Sequence, residues 1–247
     1  MIWVRSLLFT AFLFLSVPVY ATAVLLLAPF GHRVYYRQAV GWARANLWCL
    51  DKLCGLRFEV EGEENIPREP CVLYWKHESV WETMAGAVLF PPQTWVVKRE
   101  LMWLPFFGWG LALLKPIAIN RKAGRSAVKQ VMSQGRERLA DGLFVVIYPE
   151  GTRVMPGHEH RFGISGAALA KSAGRPILPV AHNAGDFWSR RSLLKRPGVI
   201  KVVIGEPIDT AELSHDEITA RGRAWIAAAI ERISPQRRHA AQQANSG

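Results

Sequence analysis

From Ser6 to Gly31 the chain runs for 26 residues without a charge. As one helix rising 1.5 Å per residue, that run would be roughly 39 Å long, more than the ~30 Å hydrocarbon core of a bilayer. A cleaved signal peptide is the rival reading, but its apolar region would be only about 7–15 residues. Here the run continues through Leu25, Leu26 and Leu27, beyond the small residues Ala21 and Ala23 that could mark a cleavage site. A retained hydrophobic membrane anchor over residues 1–31 is therefore expected. Pro18 sits in its middle and allows two forms: one kinked spanning helix, or a re-entrant pair whose halves are each too short to span. Arg5 precedes the run, and Arg33, Arg37 and Arg44 follow it. The positive-inside rule then places the rest of the chain on the cytoplasmic side. Residues 32–54 mix basic and aromatic side chains and predict a helix at the membrane interface, or an ordinary amphipathic helix on the following domain.

Half of the 247 residues are hydrophobic, enough to bury a core, which excludes disorder as the main state. The length fits one catalytic domain with an appendage. There are 31 Lys and Arg against 20 Asp and Glu, a net charge of +11. That excess points to an anionic partner: nucleic acid, anionic lipid or a phosphorylated substrate. Cys49, Cys54 and Cys71 form neither a disulfide framework nor a zinc-ligand spacing, and a reducing compartment is expected.

Beyond the anchor, strands and helices alternate. Strands are predicted at Phe58–Val60, Cys71–Trp75, Trp95–Lys98, Pro116–Asn120, Leu143–Tyr148, Pro176–Ala181 and Val199–Gly205. Helices are predicted at Glu82–Phe90, Ser126–Ala140, Gly163–Ser172 and from about Asp216 to Ile233, where Ser214 and Glu217 have capping-box spacing. Glu100–Leu114 reads as a very apolar helical stretch with Pro105 and two glycines inside it. These elements make one α/β domain over residues 55–233, followed by a disordered tail over 234–247.

Strand ends are where an α/β domain places reactive groups. Lys76-His77-Glu78-Ser79-Val80-Trp81-Glu82 follows the CVLYW strand. A His with a carboxylate five positions on suits a base held by an orienting acid. On one helix the two side chains would lie about 140° apart, so they meet only if His77 is in the loop and Glu82 in the first helical turn. Glu78 is a rival partner, and Ser79-x-x-Glu82 is itself a capping box that would give Glu82 a structural role. A solvated surface His beside two glutamates is the plainest alternative. Tyr148-Pro149-Glu150-Gly151-Thr152-Arg153 follows the LFVVIY strand and offers a phosphate cradle, with Arg153 able to hold two oxygens; a β-turn with an exposed Arg is the simpler reading. Asn120-Arg121 ends a third strand and Lys98-Arg99 a fourth.

Taken together, these blocks resemble those of the glycerolipid acyltransferases. His77 and Glu82 are similar to the family's HX4D block, KPIAINR to its second block, YPEGTR to its FPEGTR block and ILPVA to its proline-containing fourth block. The blocks occur in the family's order over about residues 71–181, and HNAGDFW and PGVIKVVIGEPI extend the similarity to about residue 208. The resemblance implies a single domain with a mixed β-sheet flanked by helices. It implies His77 as general base, Glu82 as its acidic partner, and Arg121, Glu150, Gly151, Thr152 and Arg153, with Lys98 nearby, as the groups that hold a glycerol-phosphate acceptor. Glu82 stands where the family usually has Asp, and Ala118 and Asn120 depart from the second block.

The reaction so implied moves a fatty acyl group from acyl-CoA or acyl-carrier protein to the sn-2 hydroxyl of lysophosphatidic acid, giving phosphatidic acid for phospholipid synthesis at the bacterial inner membrane. A hydroxyl is a poor nucleophile, and a His near neutral pH is matched to removing its proton as the ester bond forms. No metal or cofactor and no covalent acyl-enzyme is implied, and Cys71 reads as core. Leu101–Leu114 reads either as a core helix or as the lining of an acyl groove that dips into the bilayer. The basic stretch Arg190–Arg196 reads as a solvated turn or as a surface for anionic headgroups or an acidic carrier protein. His158 and His160 lack neighbouring ligands for a metal. Three alternatives remain open: another lysolipid or glycerol-3-phosphate as acceptor, a hydrolase using water or Ser79 although no GxSxG elbow is present, and a tethered nucleic-acid binder. No RNA-binding signature accompanies the charge, and no nucleic-acid partner is expected.

Overall fold

The computed structural model describes residues 1–158 and 160–234. The predicted tail from residue 235 onward lies outside the described residues. Ser234, the first residue of that predicted tail, is buried, and its hydroxyl donates to Asp186 Oδ2 at 2.6 Å.

The apolar run forms one helix, α1 (Ile2–Leu27), which passes through Pro18 without a break. The re-entrant form turning at Pro18 is therefore not the one adopted. Proline removes a single backbone donor, and the four turns before it and two after it keep the helix continuous. The chain instead reverses at Ala28–Gly31, where Pro29 sits in a short 3-10 turn and Gly31 takes φ +92°. It then returns as α2 (His32–Cys54) against α1. Polar groups pin the hairpin: Trp42 Nε1 donates to Ser16 Oγ at 2.9 Å, and Ser16 Oγ donates to Leu13 O at 3.0 Å. α1 is long and apolar enough to cross a membrane, yet it is also bound to the domain. Phe9 is fully buried and packs edge-on to Trp188, with ring centroids 5.6 Å apart.

Seven strands form one mixed sheet: β1 (Leu56–Glu61), β2 (Val72–Trp75), β3 (Gln93–Lys98), β4 (Ile117–Ile119), β5 (Phe144–Ile147), β6 (Ile177–His182) and β7 (Gly198–Ile204), in the order β1-β7-β6-β2-β5-β3-β4. All neighbours are parallel except β6 and β7. The predicted strands are thus all present, and the α/β mixed sheet flanked by helices is the architecture observed. Its helices are α3 (Trp81–Leu89), α4 (Phe107–Leu113), α5 (Arg125–Ala140), α6 (Ser165–Ala173), α7 (Ala184–Phe187) and α8 (His215–Ile233). The capping box before α8 is made in full by Ser214 and Glu217.

Alternation along each central strand feeds two cores. Leu73 and Trp75 of β2 join Val146, Val180, Trp81, Leu50 and Phe9 on the α1–α3 side. Val72 and Tyr74 join Val145, Ala181, Val131, Leu169 and Ile226 on the α5, α6 and α8 side. The helices of the second layer approach the sheet through glycine: a Cβ on Gly166 would stand 2.2 Å from the Tyr74 ring.

Glu100–Leu114 is not one helix. A 3-10 segment (Arg99–Trp103) is separated from α4 by Leu104-Pro105-Phe106. Pro105 cannot extend the first segment, Phe106 takes φ +60°, and Gly108 lies so close to Met102 that a Cβ would sit 2.4 Å from its carbonyl oxygen. The stretch presents two different faces. Leu101, Phe107, Gly110, Leu111 and Leu114 line an internal cavity, while Trp103, Leu104, Phe106 and Trp109 are exposed.

Candidate active site

β4, β3, β5, β2 and β6 all run the same way, so their carboxyl ends lie along one edge of the sheet. Tyr74 pairs with Ile147 and Trp75 with Val180, which brings the segments after β2, β5 and β6 side by side. This is why blocks far apart in sequence meet. Their backbones are laced together: His77 N–H donates to Glu150 Oε2 at 3.2 Å, and His77 O accepts from Val154 N–H at 2.8 Å.

His77 stands in the loop and Glu82 in the first turn of α3, the arrangement their spacing requires. His77 Nδ1 lies 2.7 Å from Glu82 Oε1, so the longer Glu reaches the ring. The same oxygen accepts from Glu78 N–H at 3.1 Å and Ser79 N–H at 3.0 Å, and Oε2 also accepts from Ser79 N–H at 3.0 Å. Orientation of His77 and support of the turn, which the sequence presents as competing roles for Glu82, are combined in one carboxylate. Glu78 has other partners. Its Oε2 accepts from Gly185 N–H at 3.3 Å, and its Oε1 is 3.7 Å from Lys76 Nζ.

The electrostatics follow from burial. Burial disfavours the imidazolium and lowers the His77 pKa below 6.5, although the Glu82 hydrogen bond and charge oppose the shift. For Glu82, burial pushes the pKa up, but the His77 hydrogen bond, the nearby His182 and the Ser79 N–H outweigh it, and the net direction is down. The pair is thus an imidazole donating Nδ1–H to a carboxylate, which leaves Nε2 as the basic nitrogen. Tyr148 stacks on the imidazole with ring centroids 4.0 Å apart and planes 18° apart. Burial holds the Tyr148 hydroxyl well above its ordinary pKa.

His77 opens onto a cavity of about 330 Å³ bounded by α1, α2, α3, β3 and α4. Its wall is apolar, with Val24, Ala39, Ala87, Trp95 and Leu114 among the lining residues, and the polar groups Lys98, Arg121 and Arg153 join His77 at it. Arg121 donates to Gly151 O, which ties the end of β4 to the glycine of the EGTR turn. Burial lowers the Arg121 pKa and the neighbouring Arg153 lowers it further, yet a guanidinium stays charged at neutral pH. Lys98 is exposed, 3.8 Å from Glu100.

Glu150, Gly151 and Thr152 are not part of the cavity wall. Glu150 is buried and engaged: its Oε1 is 2.5 Å from Lys76 Nζ, and its Oε2 takes the His77 N–H. This carboxylate holds the His77 turn from below and is not presented to a ligand. Gly151 takes φ +67° and ends a turn in which its N–H donates to Tyr148 O at 2.9 Å. Lys76, Tyr148 and His182 escaped the sequence reading as site residues. The signal for each was its place next to a motif, at the end of an apolar strand. Among the described residues no group of three or more His, Cys, Asp or Glu could hold a metal ion. Arg190, in the basic stretch, donates from Nη1 to Arg153 O at 2.9 Å and so braces the same loop.

Comparison with known proteins addresses the same region. The Acyltransferase family model matches residues 57–183, which includes the carboxyl ends of β2, β3, β4, β5 and β6. The 1-acyl-sn-glycerol-3-phosphate acyltransferase of Pseudomonas aeruginosa is 44% identical over 238 residues, 94% of this chain and 92% of that protein. The human 1-acyl-sn-glycerol-3-phosphate acyltransferase beta is 29% identical over 208 residues, 83% of this chain and 74% of that protein. In fold, the crystal structure of PlsC from Thermotoga maritima, a 1-acyl-sn-glycerophosphate acyltransferase, superposes with a TM-score of 0.79 over 95% of this chain and 98% of that one, at 21% identity. With its motif blocks gathered at one sheet edge and a relative this similar over nearly its whole length, the chain belongs to the acyltransferase family and is an acyltransferase enzyme.

Proposed function

We propose that this enzyme acylates the sn-2 hydroxyl of 1-acyl-sn-glycerol-3-phosphate with a fatty acyl group from acyl-CoA or acyl-carrier protein, giving phosphatidic acid. The observation that carries the reading is the His77–Glu82 pair at an apolar cavity that also receives two arginines. The substrate is a phosphate, a hydroxyl and a hydrocarbon chain, and the site offers a counterpart for each. Arg153 and Arg121 take the phosphate, with Lys98 at the rim. His77 Nε2 takes the proton of the hydroxyl as its oxygen attacks the thioester carbonyl. The tetrahedral intermediate then expels the thiolate, which leaves with the proton carried by His77. Glu82 holds the ring and balances its transient charge, while Glu150 and Gly151 shape the loop that carries Arg153. The apolar cavity accepts hydrocarbon chain, and no cofactor enters the scheme.

In this reading the catalytic domain sits on the cytoplasmic face of a bacterial inner membrane. The exposed side of α1 (Leu7, Leu8, Phe14, Leu15 and Val19) and the exposed Trp103 and Trp109 lie in lipid, and Arg33, Arg37 and Arg44 lie at headgroups. A cavity walled partly by α1 and α2 then opens toward the bilayer, where the acyl chain of lysophosphatidic acid lies. The protein purified in detergent, given labelled lysophosphatidic acid and either acyl-CoA or acyl-carrier protein, should form phosphatidic acid. His77→Ala should lower kcat by about 10²–10⁴-fold, the range for loss of a general base. Absence of product with both donors, or a lysolipid panel in which another acceptor is preferred, would overturn the substrate assignment.

A further inference from the structure

His182 is the last residue of β6 and is fully buried. Its Nδ1 accepts the Ala184 N–H at 3.1 Å, so the ring carries its proton on Nε2. Nε2–H donates to Lys76 O at 2.9 Å. That carbonyl belongs to the same peptide unit as the His77 N–H, which Glu150 Oε2 accepts. One peptide plane is therefore held at both ends, by His182 at its oxygen and by Glu150 at its nitrogen, and His77 hangs directly from it. Nε2 also lies 3.9 Å from Glu82 Oε2. Among the described residues, Glu82 Oε1 has three donors and Oε2 has Ser79 N–H alone within hydrogen-bond distance, so His182 faces the less satisfied oxygen.

We propose that His182 is a positioning residue for the acyl transfer: it fixes the peptide that carries His77 and keeps the positive end of its Nε2–H dipole 3.9 Å from the Glu82 carboxylate. Accepting this requires the reading of His77 as base. A residue that only filled the core between Trp75 and Trp81 would not need two ring nitrogens in directed hydrogen bonds. An imidazole buried without purpose would be disfavoured against Phe or Leu at the same place.

The charged and titratable groups around the pair are Lys76 and Glu78 after β2, Tyr148, Glu150 and Arg153 after β5, and His182 after β6. Only His182 changes in the test. Removing the positive end of its N–H makes protonation of Glu82 and His77 easier, so the acidic limb of the rate profile must move to higher pH.

The test compares wild type, His77→Ala, His182→Phe and His182→Gln in detergent, with kcat, KM for lysophosphatidic acid and the pH profile of kcat/KM measured for each. A Gln amide can place its Nε2–H near that of the imidazole. His182→Phe should lose about 10–100-fold in kcat with KM changed less than about threefold, and its acidic limb should rise by roughly half a pH unit or more. His182→Gln should recover most of kcat and return the limb toward wild type. If His182→Phe does not fold, His182→Asn, which lacks a donor at the Nε2 position, takes its place with the same expected shift. Wild-type kcat and limb in His182→Phe overturn the proposal. So does lost activity with an unmoved limb and no recovery in His182→Gln, which would make His182 a structural core residue. Full activity in His77→Ala overturns the base assignment itself, a result distinct from either of these.

Discussion

At the scale of single residues the site is a matter of tautomers. With Glu82 accepting from Nδ1, the basic lone pair of His77 is on Nε2. Glu82→Gln keeps its amide oxygen on the Glu78 and Ser79 N–H groups, where it still accepts from Nδ1, but removes the negative charge that balances the imidazolium as His77 takes the proton. A fall of about 10²–10⁴ in kcat is expected, with the fold intact by circular dichroism, the range for impaired general-base catalysis. The pH dependence has a definite sign. Burial lowers the His77 pKa below 6.5, so the free base persists to more acidic pH than for a solvated His. The kcat/KM profile should be flat near neutral pH and fall only below 6.5, tenfold per unit; a limb above 6.5 would contradict the burial seen here. The sequence displayed His77 and Glu82 and their required placement, because loop and helix start follow from local patterning. It did not display that Glu150 faces inward, since a glutamate's partner across 74 residues is set by strand order and not by spacing.

At the scale of elements, the join between α1 and the domain is the least expected feature. Lys195 is 1% exposed, and its ammonium is held by Ser6 O, Thr10 Oγ1 and Leu193 O, over the rings of Phe9 and Trp188. Its backbone N–H donates to Ser6 Oγ at 3.0 Å. The stretch that reads as a solvated basic turn therefore contributes one lysine that clamps the apolar helix α1. The reason is chemical: Ser6 and Thr10 are among the few polar groups on α1, and their carbonyl and hydroxyl oxygens solvate a cation shielded from water. Lys195→Ala removes those bonds and should cost about 2 kcal/mol, roughly 4–8 °C in the melting temperature in detergent. It should also expose the α1–domain join to limited proteolysis. An unchanged melting temperature would mean that apolar packing alone holds α1. The break at Pro105 belongs to the same scale. Proline and two glycines were visible in the sequence, but the sharp reversal that sends one face to the cavity and the other outward depends on Phe106 adopting φ +60° against its neighbours.

At the scale of the whole molecule, the cavity belongs to no single element. α1, α2, α3, β3 and α4 each give part of its wall, and the parallel strands bring His77, Arg121 and Arg153 to it. If it receives the hydrocarbon of a substrate, its depth limits chain length. Ala87→Phe should shift preference toward shorter acyl chains, with each excluded methylene lowering kcat/KM about fourfold, the equivalent of ~0.8 kcal/mol. A panel of acyl donors of graded length would reveal this, and an unchanged profile would place the chain elsewhere. The sequence by itself determined the α/β architecture, the apolar first helix, all seven strands and the identity of the family blocks. The first three follow from patterning within a short window, alternation in strands, apolar runs and turn residues, and the blocks follow from their resemblance to a known family. Only the tertiary structure decided that α1 is docked by a buried lysine and turns at Gly31, that Glu150 supports the His77 peptide, and that His182 stands behind Glu82. Those facts depend on which strands lie side by side, and strand order is set by long-range packing of two cores that no local pattern encodes.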